Sequence, residues 1–484
     1  MQGQPSAAAR DKMHDSTALY FYQIIIRQGG HPRMAAKSGN SSAKRKSGKS
    51  GVARAKSKRR ASGQTLHRPA ESAPTPDDWD AWVLHLRNRS QPRPLAQLIA
   101  VHDAKPLLWG LPAAALGSAT EQRIQRLLRF MRITTSGNGE LAKDLTRWLD
   151  RSEEIADVGL LGLDCLAWCH ALPGLAQVLP AAPWSELLDE LVQIAGQSAG
   201  ISLEEQPLGH QLLAGELPLT LAYLFPELKA CRGLAKQAGG QLSQGIAELL
   251  DGEGLPAGSN LGLARPLLAC WTRCCYLSDS MGRRSLDAKA TSQFVWFVRQ
   301  SLRLTRHDGA AVFTTDGAGR WPSPLLKAAL QLIDDDQSQG LAELLIPDHK
   351  SPRTTTRRKT PSLSVHSEWA EAALLRCDGS QESPQVAVTY GQSTLKYELN
   401  SAGETLAAGC WNPSVSVNGE LLRPTSDWEE VCWVSDADGD YLELQVDFGE
   451  DCVFQRQMFL ARDDRFLFVG DVFLGSEVAT IHYE

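Results

Sequence analysis

The chain has 484 residues, 43% of them hydrophobic, enough for more than one packed core. Its formal net charge of −6 conceals an asymmetry: residues 1–76 carry 15 Lys or Arg against three acids, net +12, which leaves −18 on the other 408. So acidic a body lacks the electrostatic footprint of a nucleic-acid-binding domain. No run reaches the roughly 18 apolar residues that a membrane-spanning helix needs. The run 19–26 is shorter still and no small-residue cleavage site follows it. The sequence leaves the location open, with cytoplasmic only as the default.

In chain order, residues 1–76 are expected to form a disordered basic tail. From 34 onward they are Lys, Arg, Ser, Ala and Gly, too poor in apolar surface to offset chain entropy. Contact with nucleic acid or another anionic surface is the one partner this tail suggests.

Residues 77–346 read as helical. Ile124, Leu127, Leu128 and Met131 form one stripe at helical spacing, and Leu187, Leu188, Leu191 and Ile194 another. Phe294, Phe297, Val298, Ser301 and Leu302 form a third, with Ser285 as the expected N-cap. Roughly a dozen helices of about 10–20 residues predict a bundle, a solenoid or a closed α/α toroid. The absence of a fixed period argues against a simple repeat array.

Residues 347–364, with Arg353, Arg357, Arg358 and Lys359 among Ser, Thr and Pro, read as a linker. From 365 to 484 the period changes to two. Thr394–Leu399, Tyr441–Phe448, Val453–Leu460, Arg465–Phe473 and Val478–Tyr483 are expected strands, with turns at Val417–Glu420 and Asp436–Gly439. These predict an antiparallel β-sandwich, and its last strand runs to the end of the sequence as though a further part were cut away.

The ten cysteines form no C-x-x-C pair, so buried free thiols are expected, and no metal or cofactor. No phosphate loop, nucleophile elbow or zinc-protease helix is present.

Several local strings sharpen this architecture. The segment His210–Phe225 is similar to the heparinase II/III-like helix that opens with an Asn-His pair. Leu250-Asp-Gly-Glu-Gly254 resembles that family's DGG turn. Thr305-Arg-His-Asp-Gly309 with Thr315-Asp316 resembles its later turn. Gln455-Arg456 followed by Asp464–Asp471 resembles its Arg…Asp strand pair. The resemblance covers about residues 150–475 and implies an α/α toroid followed by a β-sandwich. It also implies β-elimination at a uronate: the sugar carboxylate is neutralised, a base removes the C5 proton, and a Tyr or His protonates the leaving oxygen.

On that resemblance, His210, Tyr390 and Arg265 are the candidate catalytic residues, and Tyr223, Arg273 and Trp411 the candidate substrate contacts. Each also has a plain structural reading: His210 a helix-start histidine bonded to backbone, Tyr390 a packed strand tyrosine, Tyr223 core, the two arginines solvated surface. His366, Glu368 and Trp369 read as an interdomain contact, and Asp251, Asp308 and Asp316 as turn residues.

Three departures stand beside the resemblance. Gly209 replaces the Asn, Gly262 and Leu263 stand where a Tyr-His pair is expected, and Val388–Ser393 contains no His. Two expectations follow: a lyase acting on an acidic polysaccharide, in a cleft where His210, an Arg and Tyr390 converge, or a degenerate carbohydrate-binding or scaffold protein of the same fold.

Overall fold

A computed structural model of the chain describes residues 78–484, except 102–103, 133–138, 153–154, 315–321, 348, 350–361, 381, 392, 450–451, 476–478 and 484. The expected basic tail, most of the expected linker and Asp316 lie outside the described residues.

From Trp79–Asn88 to Asp336–Leu345 the regular elements are helical, and among the described residues the backbone outside them makes only two isolated β-bridges, Leu250 to Pro256 and Thr305 to Ala311. The helix Val158–Leu175 is the axis of this part. It is apolar on all sides, and almost every residue from Gly162 on is buried. By length and composition it could cross a membrane, contrary to the expectation from the sequence, but here it packs as a core helix. Its one acid, Asp164, pairs with Arg123.

The other helices show the expected stripes facing inward: Leu187, Leu188 and Leu191 are buried, as are Phe294, Phe297 and Val298. The helix carrying the last stripe is Ala288–Arg303. Its cap is Asp287, whose carboxylate accepts from Ala290 N at 2.8 Å, and not Ser285 as its position in the sequence suggested. Asp287 wins because its oxygen reaches a first-turn N–H that would otherwise be orphaned.

The strand region begins with β1 (Val365–Ser367), β2 (Ala372–Arg376), β3 (Gln385–Thr389), β4 (Lys396–Ser401) and β5 (Glu404–Cys410), an antiparallel sheet in that order. Next come β6 (Pro413–Val417) and β7 (Glu420–Leu422), joined by the expected Asn-Gly turn, where Asn418 and Gly419 both take positive φ. Then β8 (Glu429–Ser435), β9 (Gly439–Asp447), β10 (Val453–Ala461) and β11 (Phe466–Leu474) form a four-stranded meander, and β12 (Ala479–Tyr483) pairs with β6. The architecture is a helical α/α toroid followed by an antiparallel β-sandwich.

Strand parity decides what the first sheet touches. Val365, Ala372, Leu374 and Ala387 belong to the core shared with the helices. Their neighbours Ala373, Leu375, Val386, Val388 and Tyr390 belong to the sandwich interior. The sheet is covered on both faces, which is why β2 and β3 are continuously buried rather than alternating. Polar contacts fix the junction: Gly258 N to Ala370 O at 2.6 Å, Gln385 Nε2 to Arg303 O at 3.2 Å, and Phe313 N to Glu398 Oε2 at 2.7 Å.

Candidate functional site

His210 ends a short helix, Pro207–His210, which continues through a π-helical turn, Gln211–Glu216, into Leu217–Leu224. Pro218 has no N–H to offer the preceding turn and its ring crowds it, so the wider turn is the local answer. The turn points Gln211 at the helix Leu234–Leu249. Gln211 Oε1 accepts from Trp271 Nε1 at 2.8 Å, which fixes the amide. Its Nε2 then donates to His210 Nδ1 at 3.0 Å and to Gln241 O at 3.2 Å. With Nδ1 accepting, His210 Nε2 is the donor to Gln241 Oε1, at 2.9 Å.

Both ring nitrogens of His210 are thus committed, to side chains rather than to backbone, the residue is 3% exposed, and burial lowers its pKa. Gly209 is equally constrained. A Cβ there would lie 2.7 Å from Val158 Cγ1, so the place of the expected Asn is already filled.

The two arginines also point inward. Arg273 forms a bidentate pair with Glu216 (2.5 and 2.7 Å) and donates to Pro106 O at 3.1 Å, in the core of the toroid. Its solvated-surface reading is corrected, because the core carboxylate Glu216 draws the guanidinium in. Arg265 is 9% exposed and donates to Gly309 O at 2.8 Å. The Tyr223 hydroxyl donates to Arg93 O at 2.8 Å. Asp251 and Asp308 act as turn residues, accepting backbone N–H bonds from Glu253, Leu255 and Ala310.

Among the described residues, Glu216, Cys270 and Cys274 converge closely enough to hold a metal. Arg273 already occupies the carboxylate, and burial pushes both thiols up, away from the thiolate a metal needs.

In the sandwich, Tyr390 follows β3 on its interior face, and His366 of β1 lies on that same face. The Tyr390 hydroxyl stands 2.6 Å from His366 Nε2. The His366 ring stacks between Tyr390, with an interplanar angle of 9°, and Trp433 of β8, at a centroid distance of 5.2 Å. Burial raises the Tyr390 pKa, with help from Glu430, Glu368 and Glu371. Burial lowers that of His366, so at neutral pH the tyrosine donates and the imidazole accepts.

The Glu371 carboxylate stands against Gly391, where any Cβ would collide with it at 1.8 Å. Desolvation and the neighbouring acids raise the pKa of Glu371 and of Glu430. Trp369, 55% exposed, projects from the turn between β1 and β2. The His366–Trp433 stack brings together β1 and β8, each the end strand of its sheet.

Trp411 lies beneath the Arg456 guanidinium, 4.0 Å from it, and Arg456 pairs with Asp471 through two 2.8 Å bonds. Trp411 is therefore part of a buried polar cluster.

The structure does not bring His210, Arg265 and Tyr390 together as expected. His210 is held among helices and Arg265 at a loop, while strand parity turns Tyr390 away from the helices. His366 and Trp433 are what it brings to Tyr390. His366 had read as an interdomain contact, and Trp433 went unread because nothing in the sequence marks β8 as facing β1.

No family model matches the sequence, and no curated protein matches it significantly. Among solved structures, a heparinase III aligns with TM-score 0.55 at 12% identity, over 84% of this chain and 76% of that one. A second structure of it, with methylated lysines, aligns with TM-score 0.51 at 10% identity, over 75% and 62%. The chain thus spans less than two thirds of that second structure. The heparan sulfate lyase HepC from Pedobacter heparinus aligns with TM-score 0.50 at 11% identity, over 83% and 74%. At such identities the likeness is one of fold.

Proposed function

We propose that this protein uses a polysaccharide-lyase fold to bind an acidic, uronate-containing polysaccharide without cleaving it. The observation that carries this reading is the packing at 209–211: the space for a carboxylate-neutralising side chain is filled by Val158, and His210 has no free nitrogen. β-Elimination needs a neutraliser, a base and an acid converging on one sugar.

The binding surface in this reading is a groove between the exposed Trp369 and the half-buried Trp433 stacked on His366. Sugar rings stack on exposed aromatic faces. Glu371 and Glu430, with raised pKa values, accept protons more readily than free glutamates, and a protonated carboxyl can donate to a uronate. Trp369→Ala should weaken binding to the full chain at least 10-fold in a calorimetric titration with a polyuronate. Unchanged affinity would overturn the assignment of the groove.

One observation favours a second reading. The 2.6 Å bond between Tyr390 and His366 joins an acid and a base: as the tyrosine oxygen takes the C5 proton it passes its own to the neutral imidazole, and as the C4–O bond breaks the tyrosine gives a proton to the departing oxygen and recovers one from the imidazolium. In that reading the protein is a lyase, and His366→Ala abolishes unsaturated-uronate formation.

A further inference from the structure

A cavity of about 870 Å³ in the toroid lies at the end of the core helix Val158–Leu175 and is lined by none of the residues discussed above as site candidates. Its volume falls within the roughly 300–1,000 Å³ range of small-molecule sites. Its floor includes Pro173 and His170 of that helix, and its walls are mostly apolar, among them Leu95, Leu128 and Phe130.

Three cationic side chains also line it, Arg89, Lys105 and Arg129, and among the described residues no carboxylate does. Arg89 is fixed by Glu227 at 3.1 and 3.3 Å and lies over Phe225. Lys105 and Arg129 are exposed. His170 is 6% exposed, and its Nε2 has no partner. Burial, reinforced by Arg273, drives its pKa down to about 3, so it is a neutral polar group in an apolar wall. A buried polar atom without a partner is costly unless a ligand or water meets it.

We propose that this cavity binds a small anion with an apolar body, a medium- to long-chain carboxylate, whose chain lies against the apolar wall and whose head meets the cationic side chains. A saccharide fits less well, because most of its hydroxyls would face groups that cannot hydrogen-bond.

The test is calorimetric titration of the full chain with decanoate and with decyltrimethylammonium, which has the same chain length and the opposite charge. Saturable one-to-one binding of decanoate alone is expected. Lys105→Glu combined with Arg129→Glu, both exposed and shown folded by an unchanged thermal melt, should weaken it at least 10-fold. Ala96→Trp, which fills the cavity from its edge, should abolish it. Absence of decanoate binding, equal binding of the two probes, or indifference to both variants would overturn the proposal. Polyuronate binding is measured separately on the same variants and is expected to be unchanged, so failure here leaves the groove reading intact.

Discussion

Val158 occupies the space that any side chain at position 209 would enter: its Cγ1 lies 2.7 Å from the Cβ an alanine would place there. The helix opening on Gly209-His210 is therefore packed around a glycine. Gly209→Asn should lower stability by about 1–3 kcal/mol, the usual scale of overpacking. Val158→Ala in the same chain should recover part of the loss. Urea denaturation of the three proteins measures this, and an unperturbed single variant would show that the contact is slack.

His170 and His307 make the fold acid-sensitive. Their folded pKa values are depressed, to about 3 and about 4, chiefly by burial. An unfolded histidine titrates near 6.5. Below that pH the unfolded chain takes up protons that the folded chain refuses, so this stability is present above about 6.5 and is lost as pH falls toward the folded values. By pH 5 His170 alone should account for about 2 kcal/mol. His170→Gln should flatten the pH dependence of the denaturation midpoint between pH 7.5 and 5. An equally steep profile in the variant would rule His170 out as the source.

Arg456 and Asp471 face each other across β10 and β11 and exchange two bonds of 2.8 Å, with the arginine side chain fully buried. Arg456→Ala leaves a buried carboxylate without its partner and should cost about 3–5 kcal/mol. High salt should leave the wild-type pair largely unaffected, since buried charges are weakly screened. A loss below 1 kcal/mol, read from denaturant midpoints, would mean that the pair is replaceable by solvent.

This pair also shows what was legible in the sequence. Both strands were expected from the sequence, and the pair was suggested by the resemblance of Gln455-Arg456 and Asp464–Asp471 to an Arg…Asp strand pair, while the register that sets Arg456 opposite Asp471 emerges only in the fold. The inward stripes of the helices were legible, since periodicity within one segment fixes which face is buried. The His366–Tyr390 bond was not. It spans 24 positions and depends on β1, β2 and β3 lying side by side with a particular parity, which no single segment encodes. The burial of His210 was hidden likewise, because Gln241 and Trp271 lie on other helices.

Binding at the groove should depend on pH. Glu371 and Glu430 have raised pKa values, through desolvation and neighbouring acids. Their charge repels a polyuronate, so affinity should rise as the pH is lowered through their titration. Glu371→Gln should remove part of that dependence and tighten binding at pH 7. Calorimetric titration at pH 5 and pH 7.5 checks it, and an affinity independent of pH in the wild-type protein would contradict the role of these carboxylates.

The most direct test is the ultraviolet absorbance of the full chain incubated with a panel of uronate-containing polysaccharides at pH 5 and pH 7.5, with binding measured in parallel. β-Elimination creates an unsaturated uronate that absorbs in the ultraviolet. The account predicts a flat trace for every polymer together with saturable binding of at least one. A rise in absorbance abolished by His366→Ala, in a variant that remains folded, would contradict it and make the Tyr390–His366 pair the catalytic centre of a lyase.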